Sequence, residues 1–540
     1  MITNLRSRLA LNPVTLKELR QMVRSRLVSS GLIAFLFLQV AVVSIALLTA
    51  RSASSDPLGQ SYGTVVFGTV TGMLGFMLLL GIPGFVSARM AAERSADRLD
   101  LQFTTALAPT QFIDGKIAAA AVLMLLFAST SLPFLMLAYL LRGVDVFTML
   151  RSFGFLLVLA LCVCHVVLLL GSIRLSKALR IIIVIGLVQV ALPLGAALVG
   201  GMAVGGADLP LWGAALALLA AACGCALVRA LAAAAISPPH ANSARLVRRL
   251  AFAFWILWGA ATLLATVFRR EVGWILAWAF VFVVVADLLM LFAVSSKAGC
   301  SRRVLAEILR RPGARVWQFP FFTGAENGIV FCVLLGALSA AVFWLFTVFA
   351  AQASFPDKED FDGMMAALTI LLAYPMAYML TARLIWQIFL RQVMNPRFVG
   401  VMAMLGAALF SVLPYLLTLG NYGGQSDAAM RFPGNLAGAL IAVSDDDETI
   451  RLFHQLVSGA WALMVLAALG PSLLHAFRAF RPPESFASGS VPAPAAPKPP
   501  SAEPAATPAL PAFQPIPEPP PLPPETPEEE SQEPSAADTN

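Results

Sequence analysis

Twelve stretches of this sequence are apolar over the length needed to cross a lipid bilayer, and nothing else about the chain narrows its fold as much. A spanning helix needs about 20 mostly apolar residues. Runs of that kind fall near 31–50, 63–86, 117–141, 147–170, 181–201, 210–231, 249–268, 272–294, 328–350, 364–390, 398–419 and 453–475. Of the 540 residues, 59% are hydrophobic and 12% are charged. Soluble domains carry about a quarter charged residues, so this chain has too little polar surface to cover a fold in water. The expectation is an all-α polytopic membrane protein with about 12 transmembrane helices.

Charge sets the expected orientation. With the N-terminus inside, the inner segments hold 29 of the 37 Lys and Arg residues, as short basic cytoplasmic loops do. The inverted arrangement would have to translocate Arg302-Arg303 and Arg310-Arg311. The first apolar run follows thirty residues bearing six basic side chains. That flank is long for a signal peptide, so the run reads as a retained first span.

Residues 482–540 are a different material, with 19 of the 36 prolines, nine acidic residues and one lysine, Lys498. Such a segment cannot bury a core and is expected to be a disordered or polyproline-like cytoplasmic tail. It carries −8, which leaves +15 on the rest of the chain. That charge suits anionic lipid headgroups, and no nucleic-acid partner is expected.

Helices one to three repeat the order and spacing of helices seven to nine, each trio containing an inner loop of about 30 residues. The reading is two six-helix halves, 31–231 and 249–475, joined by a cytoplasmic linker at 232–248 and preceded by a segment over 1–30.

In that segment, Asn12 suits an N-cap and Pro13 the first helical position. Leu16, Leu19, Val23 and Leu27 line one face, and Lys17, Glu18, Arg20 and Arg24 are placed on the other. A basic amphipathic helix of this kind belongs in the membrane interface. The first inner loop, Ala88 to Lys116, reads as a charged helix, a break at Pro109 and a second short helix leading into the third span. Its mixed charges would suit a soluble partner, though an ordinary solvated connector fits the periodicity equally well.

The run NPVTLKELRQMVRSR (Asn12–Arg26) resembles the opening of bacterial permease subunits of the type-2 class of ATP-binding-cassette exporters. So does ERSADRLDLQFTTALAPTQFIDGK (Glu93–Lys116), with its Thr-Thr-x-Leu-x-Pro centre and Gly-Lys close. The resemblance covers about residues 12–145, and helix order extends it to 231. The second inner loop, Ser295–Asn327, is basic but lacks the Thr-Thr-x-Leu-x-Pro pattern. The resemblance implies a multi-pass protein of the bacterial cytoplasmic membrane with both ends inside. It also implies that Glu93, Arg94, Asp97, Arg98, Asp100, Thr104, Thr105, Pro109 and Lys116 form the loop that meets an ATPase, alongside the helix bearing Pro13, Lys17, Glu18, Arg20 and Arg24. The chain has no G-x-x-x-x-G-K-[ST] loop to cradle phosphates, because Thr110 stands five residues before Gly115. No catalytic function is therefore expected of this chain; ATP and magnesium would belong to a separate ATPase subunit. The substrate is not readable.

Other residues invite sharper readings. Asp287 sits inside the eighth run, where carboxylates are costly and often functional, so an ion site there is weighed against pairing with a neighbouring helix or Lys297. An ion-coupled carrier is accordingly an alternative function, and a non-transporting membrane anchor for an ATPase is another. Arg383 is expected to snorkel to the interface, and His165 to be a hydrogen-bonded core residue. The acidic run at 445–448 reads as a helix start. Pro83, Pro133, Pro193, Pro375 and Pro414 mark kinks. Of the six cysteines none falls in an outer loop, so no disulfide framework is implied. Cys162/Cys164 and Cys223/Cys225 lie at similar depths of two helices. Residues two apart on a helix point about 200° from each other, which favours small apolar packing over a four-thiolate metal site.

Overall fold

The structure, a computed structural model, describes residues 13–52, 62–95, 108–141, 144–173, 211–238, 241–269, 271, 273–297, 299–308, 313–352, 358–418, 430–444 and 447–482. Every regular element among them is a helix, and eleven helices are long and apolar enough to cross a membrane. The chain is a multi-pass all-α membrane protein. The expected run at 181–201, with its Pro193, lies outside the described residues, as do 483–540 of the proline-rich tail.

Helix α1 (Pro13–Val23) precedes the first spanning helix, α2 (Arg26–Ser52). The second span is α3 (Tyr62–Phe76), a π turn at Met77–Gly81, and α4 (Ile82–Ser95). Pro83 has no N–H to return to Leu79, and the wider turn sits immediately before it. The third span, α5, runs unbroken from Pro109 to Leu140. The short helix expected ahead of residue 117 is thus the first two turns of the span itself. Proline is tolerated at a first helical position, where the missing N–H has no partner to lose.

The next spans are α6 (Val146–Ser172), α7 (Leu211–Ile236), α8 (Ala244–Arg269) and α9 (Gly273–Val294). Short helices α10 (Arg302–Leu305) and α11 (Ala314–Gln318) follow. The remaining spans are α12 (Ala325–Gln352), α13 (Lys358–Ile385), α14 (Val399–Thr418) and α16 (Glu448–Ala479), with the short α15 (Leu436–Ser444) before the last. Asp447 caps α16 by accepting from the Ile450 amide at 3.1 Å, as the helix-start reading of the acidic run expects. Pro133, Pro375 and Pro414 lie inside helices, as does Pro471, which the sequence reading did not single out.

Packing joins one large apolar core to smaller satellites. Trp255, Trp278, Phe254 and Phe282 form an aromatic knot between α8 and α9, and the Trp255 indole donates to Ser339 Oγ of α12 at 2.9 Å. Residues 430–444, between α14 and α16, fold against α13. Tyr378 donates to the Gly434 carbonyl, and His454 Nε2 meets the Met430 carbonyl at 2.6 Å. Its Nδ1 meets Tyr374 Oη at 2.7 Å. Gly434 has φ +91°, and a side chain there would meet Phe410 at 3.0 Å. Many large apolar side chains point outward, among them Phe37 (71% exposed), Phe147 (83%) and Trp344 (67%). Apolar exposure on that scale belongs against lipid rather than water.

Candidate functional site

The two segments singled out in the sequence meet at one end of the bundle. Helix α1 has three faces. At about 100° per residue, Val14, Thr15, Glu18 and Met22 fall on one side and are buried against the protein. Leu16 and Val23 fall on a second side and are exposed. Lys17, Arg20 and Arg24 share a third, also exposed. The two-faced helix expected from the sequence therefore has an additional docking side, and Glu18 belongs to it rather than to the solvent side. The reason is the cation it meets.

That cation is Lys116, 3% exposed, two turns into α5. Its Nζ lies 2.8 Å from Glu18 Oε1 and 2.8 Å from Glu93 Oε2. Arg89 of α4 completes the group, with Nη2 at 3.3 Å from Glu18 Oε2 while donating to Gln21 Oε1 at 2.6 Å. Two acids and two bases thus join α1, α4 and α5 in a joint with no net charge. Burying Glu18 or Lys116 unpaired would be expensive; paired with each other and with the partly exposed Arg89 and Glu93, they are tolerated. The Lys116 ammonium also lies 5.1 Å from the Phe112 ring centre. Gly115 allows the close approach: a Cβ there would stand 2.6 Å from Val14 Cβ.

The predicted loop residues are not all in view. Pro109 begins α5 and Glu93 lies in the last turn of α4. Arg94 is in α4 with its side chain outside the described residues, and Asp97, Arg98, Asp100, Thr104 and Thr105 lie outside them altogether. Pro13 is the first residue of α1. A neighbouring pair that the sequence reading missed, Asp114 and Arg229, ties α5 to α7 through two parallel contacts, Nη2 to Oδ2 at 2.5 Å and Nε to Oδ1.

The corresponding region of the later helices is held differently. Arg248 of α8 is buried and donates to the carbonyls of Pro320 at 2.7 Å, Phe322, and Gly324 at 3.3 Å. Arg315, one of the basic residues of the 295–327 loop, donates to the carbonyls of Phe477 and of Arg478, the latter at 3.0 Å. It therefore caps the end of α16, where a cation is favoured. Arg383 does not snorkel. Its side chain is 0% exposed, bonds Glu326 Oε1 at 3.0 Å and the Val294 carbonyl at 3.1 Å, and stacks 4.6 Å from Trp386. The carboxylate of Glu326, at the start of α12, draws the guanidinium inward. A sequence signal existed: Glu326 stands at the head of an otherwise apolar run, where an unpaired acid would be untenable.

Asp287 sits in α9 with one carboxylate oxygen, Oδ1, buried and without a hydrogen-bond partner among the described residues. No ion pair with Lys297 or another described residue is formed. His165 Nδ1 meets the Leu161 carbonyl at 2.8 Å, as expected of a core histidine. No group of three or more His, Cys, Asp or Glu side chains able to hold a metal occurs among the described residues. Comparison with models of protein families, with curated proteins and with solved structures finds no match for this chain.

Proposed function

We propose that this chain is the membrane-spanning permease subunit of an ATP-binding-cassette exporter, with two six-helix halves in one polypeptide. It sits in the bacterial cytoplasmic membrane with both ends inside, and a separate subunit binds and hydrolyses Mg-ATP. The observation that carries this reading is the joint of Glu18, Arg89, Glu93 and Lys116. It binds the head of the chain to both edges of the inner loop, and these are the two segments that resemble the exporter permeases. A push on that loop from a soluble motor would reach α1, α4 and α5 together, because the ion pairs and the close packing of Gly115 on Val14 hold the three helices to one another. The exposed Lys17, Arg20 and Arg24 then face headgroups or an acidic partner surface.

The test is purification of the full chain from its native membranes in mild detergent. A Walker-A ATPase should accompany it, and the reconstituted pair should couple hydrolysis to movement of a solute. Absence of any ATPase after chemical cross-linking in the membrane sinks the reading. An ATPase partner without flux would favour a non-transporting anchor instead. One observation favours a second reading, ion coupling: the buried Asp287 oxygen, which has no hydrogen-bond partner among the described residues. On the exporter reading Asp287→Asn leaves flux intact, whereas on the carrier reading it abolishes flux.

A further inference from the structure

Cys162 of α6 and Cys225 of α7 are separated by 63 positions in the chain, yet their sulfurs lie 3.5 Å apart. Both thiols are free and neither is fully buried. Two thiols this close need only modest side-chain rotation and helix approach to reach bonding distance, about 2.05 Å in a disulfide. The other cysteine of each pair, Cys164 or Cys223, lies two residues away and so about 200° around its helix. Sulfur therefore faces sulfur once at this interface, through one cysteine from each helix. Small-residue packing asks for nothing more than Ala or Ser at the two positions. The surroundings are also ordered: Arg229, one turn beyond Cys225, is held by Asp114 of α5.

We propose that Cys162 and Cys225 are an oxidisable dithiol, a modification site at which a lipid hydroperoxide closes a disulfide that ties α6 to α7 within the membrane. In the first step the Cys162 sulfur attacks the distal oxygen of the hydroperoxide. The O–O bond breaks, a sulfenic acid forms, and the lipid leaves as its alcohol carrying the thiol proton. In the second step the Cys225 sulfur attacks the sulfenic sulfur. The S–S bond forms, the S–O bond breaks, and the hydroxyl departs as water with the second thiol proton. Two thiols lose two electrons and one hydroperoxide gains them. A thiol reductant restores the pair. With α7 already bound to α5 through Arg229 and Asp114, closure makes α5, α6 and α7 one body.

Four internal controls are built into the chain. Cys164 and Cys332 are buried. Cys300 donates to the Thr323 carbonyl at 2.7 Å, and burial pushes its thiol up, away from the reactive thiolate. Cys223 has no sulfur facing it among the described residues. The experiment uses the full chain in vesicles containing a linoleoyl phospholipid hydroperoxide, followed by alkylation in denaturant, digestion and mass spectrometry. The expected result is one cross-linked peptide pair, Cys162–Cys225, lost on adding dithiothreitol, with the other four thiols alkylated. Cys162→Ser and Cys225→Ser each abolish it, while Cys164→Ser and Cys223→Ser leave it unchanged. A wild-type chain with all six thiols alkylated would overturn the proposal. So would a bridge through Cys164 or Cys223, or irreversible sulfinic acid at Cys162 beside a free Cys225. The wild-type measurement decides the matter even where a serine variant fails to accumulate.

Discussion

Substitution of Glu18 by Gln removes one charge from the joint while keeping the side chain's size and its place on α1. Lys116 then keeps Glu93 but loses the closer-buried of its two carboxylates, and the four-group set becomes net positive. At 2.8 Å and an effective dielectric near 20 the lost attraction is about 6 kcal/mol before desolvation is subtracted. Because Glu18 and Lys116 are 2% and 3% exposed, solvent screens little of this. Experience with broken buried pairs brings the net cost to about 3–5 kcal/mol. The cost should appear first as undocking of α1. An 11-residue helix is too short to hold itself together in water, so its amides depend on the docked face for protection. Hydrogen exchange in lipid nanodiscs should therefore quicken across Val14–Val23 while α5 beyond its second turn is unchanged. A double-mutant cycle with Lys116→Met, read as the detergent-unfolding midpoint, should give a coupling of about 2–3 kcal/mol, since removing both charges restores the neutrality that either single change upsets. Additive effects within about 0.5 kcal/mol, or unchanged α1 exchange in the Gln variant, would refute the argument.

Other consequences are as direct. Gly115→Val pushes a side chain into Val14 Cβ, costs about 1–3 kcal/mol, and should mimic the α1 exchange pattern without altering any charge. Arg383→Met strands Glu326 in the core and should cost about 3–5 kcal/mol in the unfolding midpoint. Arg383→Lys should rescue only in part, because one ammonium cannot serve both Glu326 and the Val294 carbonyl in the guanidinium's geometry. Asp145 caps α6, and its hydrogen bonds with Thr148 hold its carboxyl below the ordinary value. The cap's contribution is therefore complete above that ordinary value and fades as pH falls through the lowered one. Protection of the Thr148 amide, taken relative to its intrinsic exchange rate at each pH, should fall on acidification in the native chain and be low at all pH values in Asp145→Ala.

The spanning helices were legible because their signal is length, and length survives any detail of packing. Pro13 and Asp447 were legible as helix starts because the chemistry of a helix terminus is local. What escaped was pairing across distance. The apolar face of α1 could be read from its spacing, but its docking face mixes Val14 and Met22 with Thr15 and Glu18. No periodicity rule assigns an acid to a buried side before its cation is known. Arg383 was misread for the same reason, since position along a helix predicts snorkelling only when no carboxylate lies inward. Arg248 and Arg315 bind backbone carbonyls, which leave no trace in the side-chain sequence. Cys162/Cys164 and Cys223/Cys225 could be placed at similar depths of two helices, but which sulfur faces which depends on the rotation of the helices against each other, and that brings Cys162 and Cys225 together.

The three faces of α1 respond to ionic strength in different ways. The Glu18–Lys116 pair at the centre of the joint is buried, so a rise in salt leaves it almost untouched. The exposed face of Lys17, Arg20 and Arg24 sits in solvent, where fields fade within about 8 Å at physiological salt and faster above it. Concentrated salt should thus strip whatever anionic surface rests on that face while α1 stays docked on the bundle. If a peripheral ATPase docks there as proposed, a salt wash would detach it without disturbing the joint beneath it.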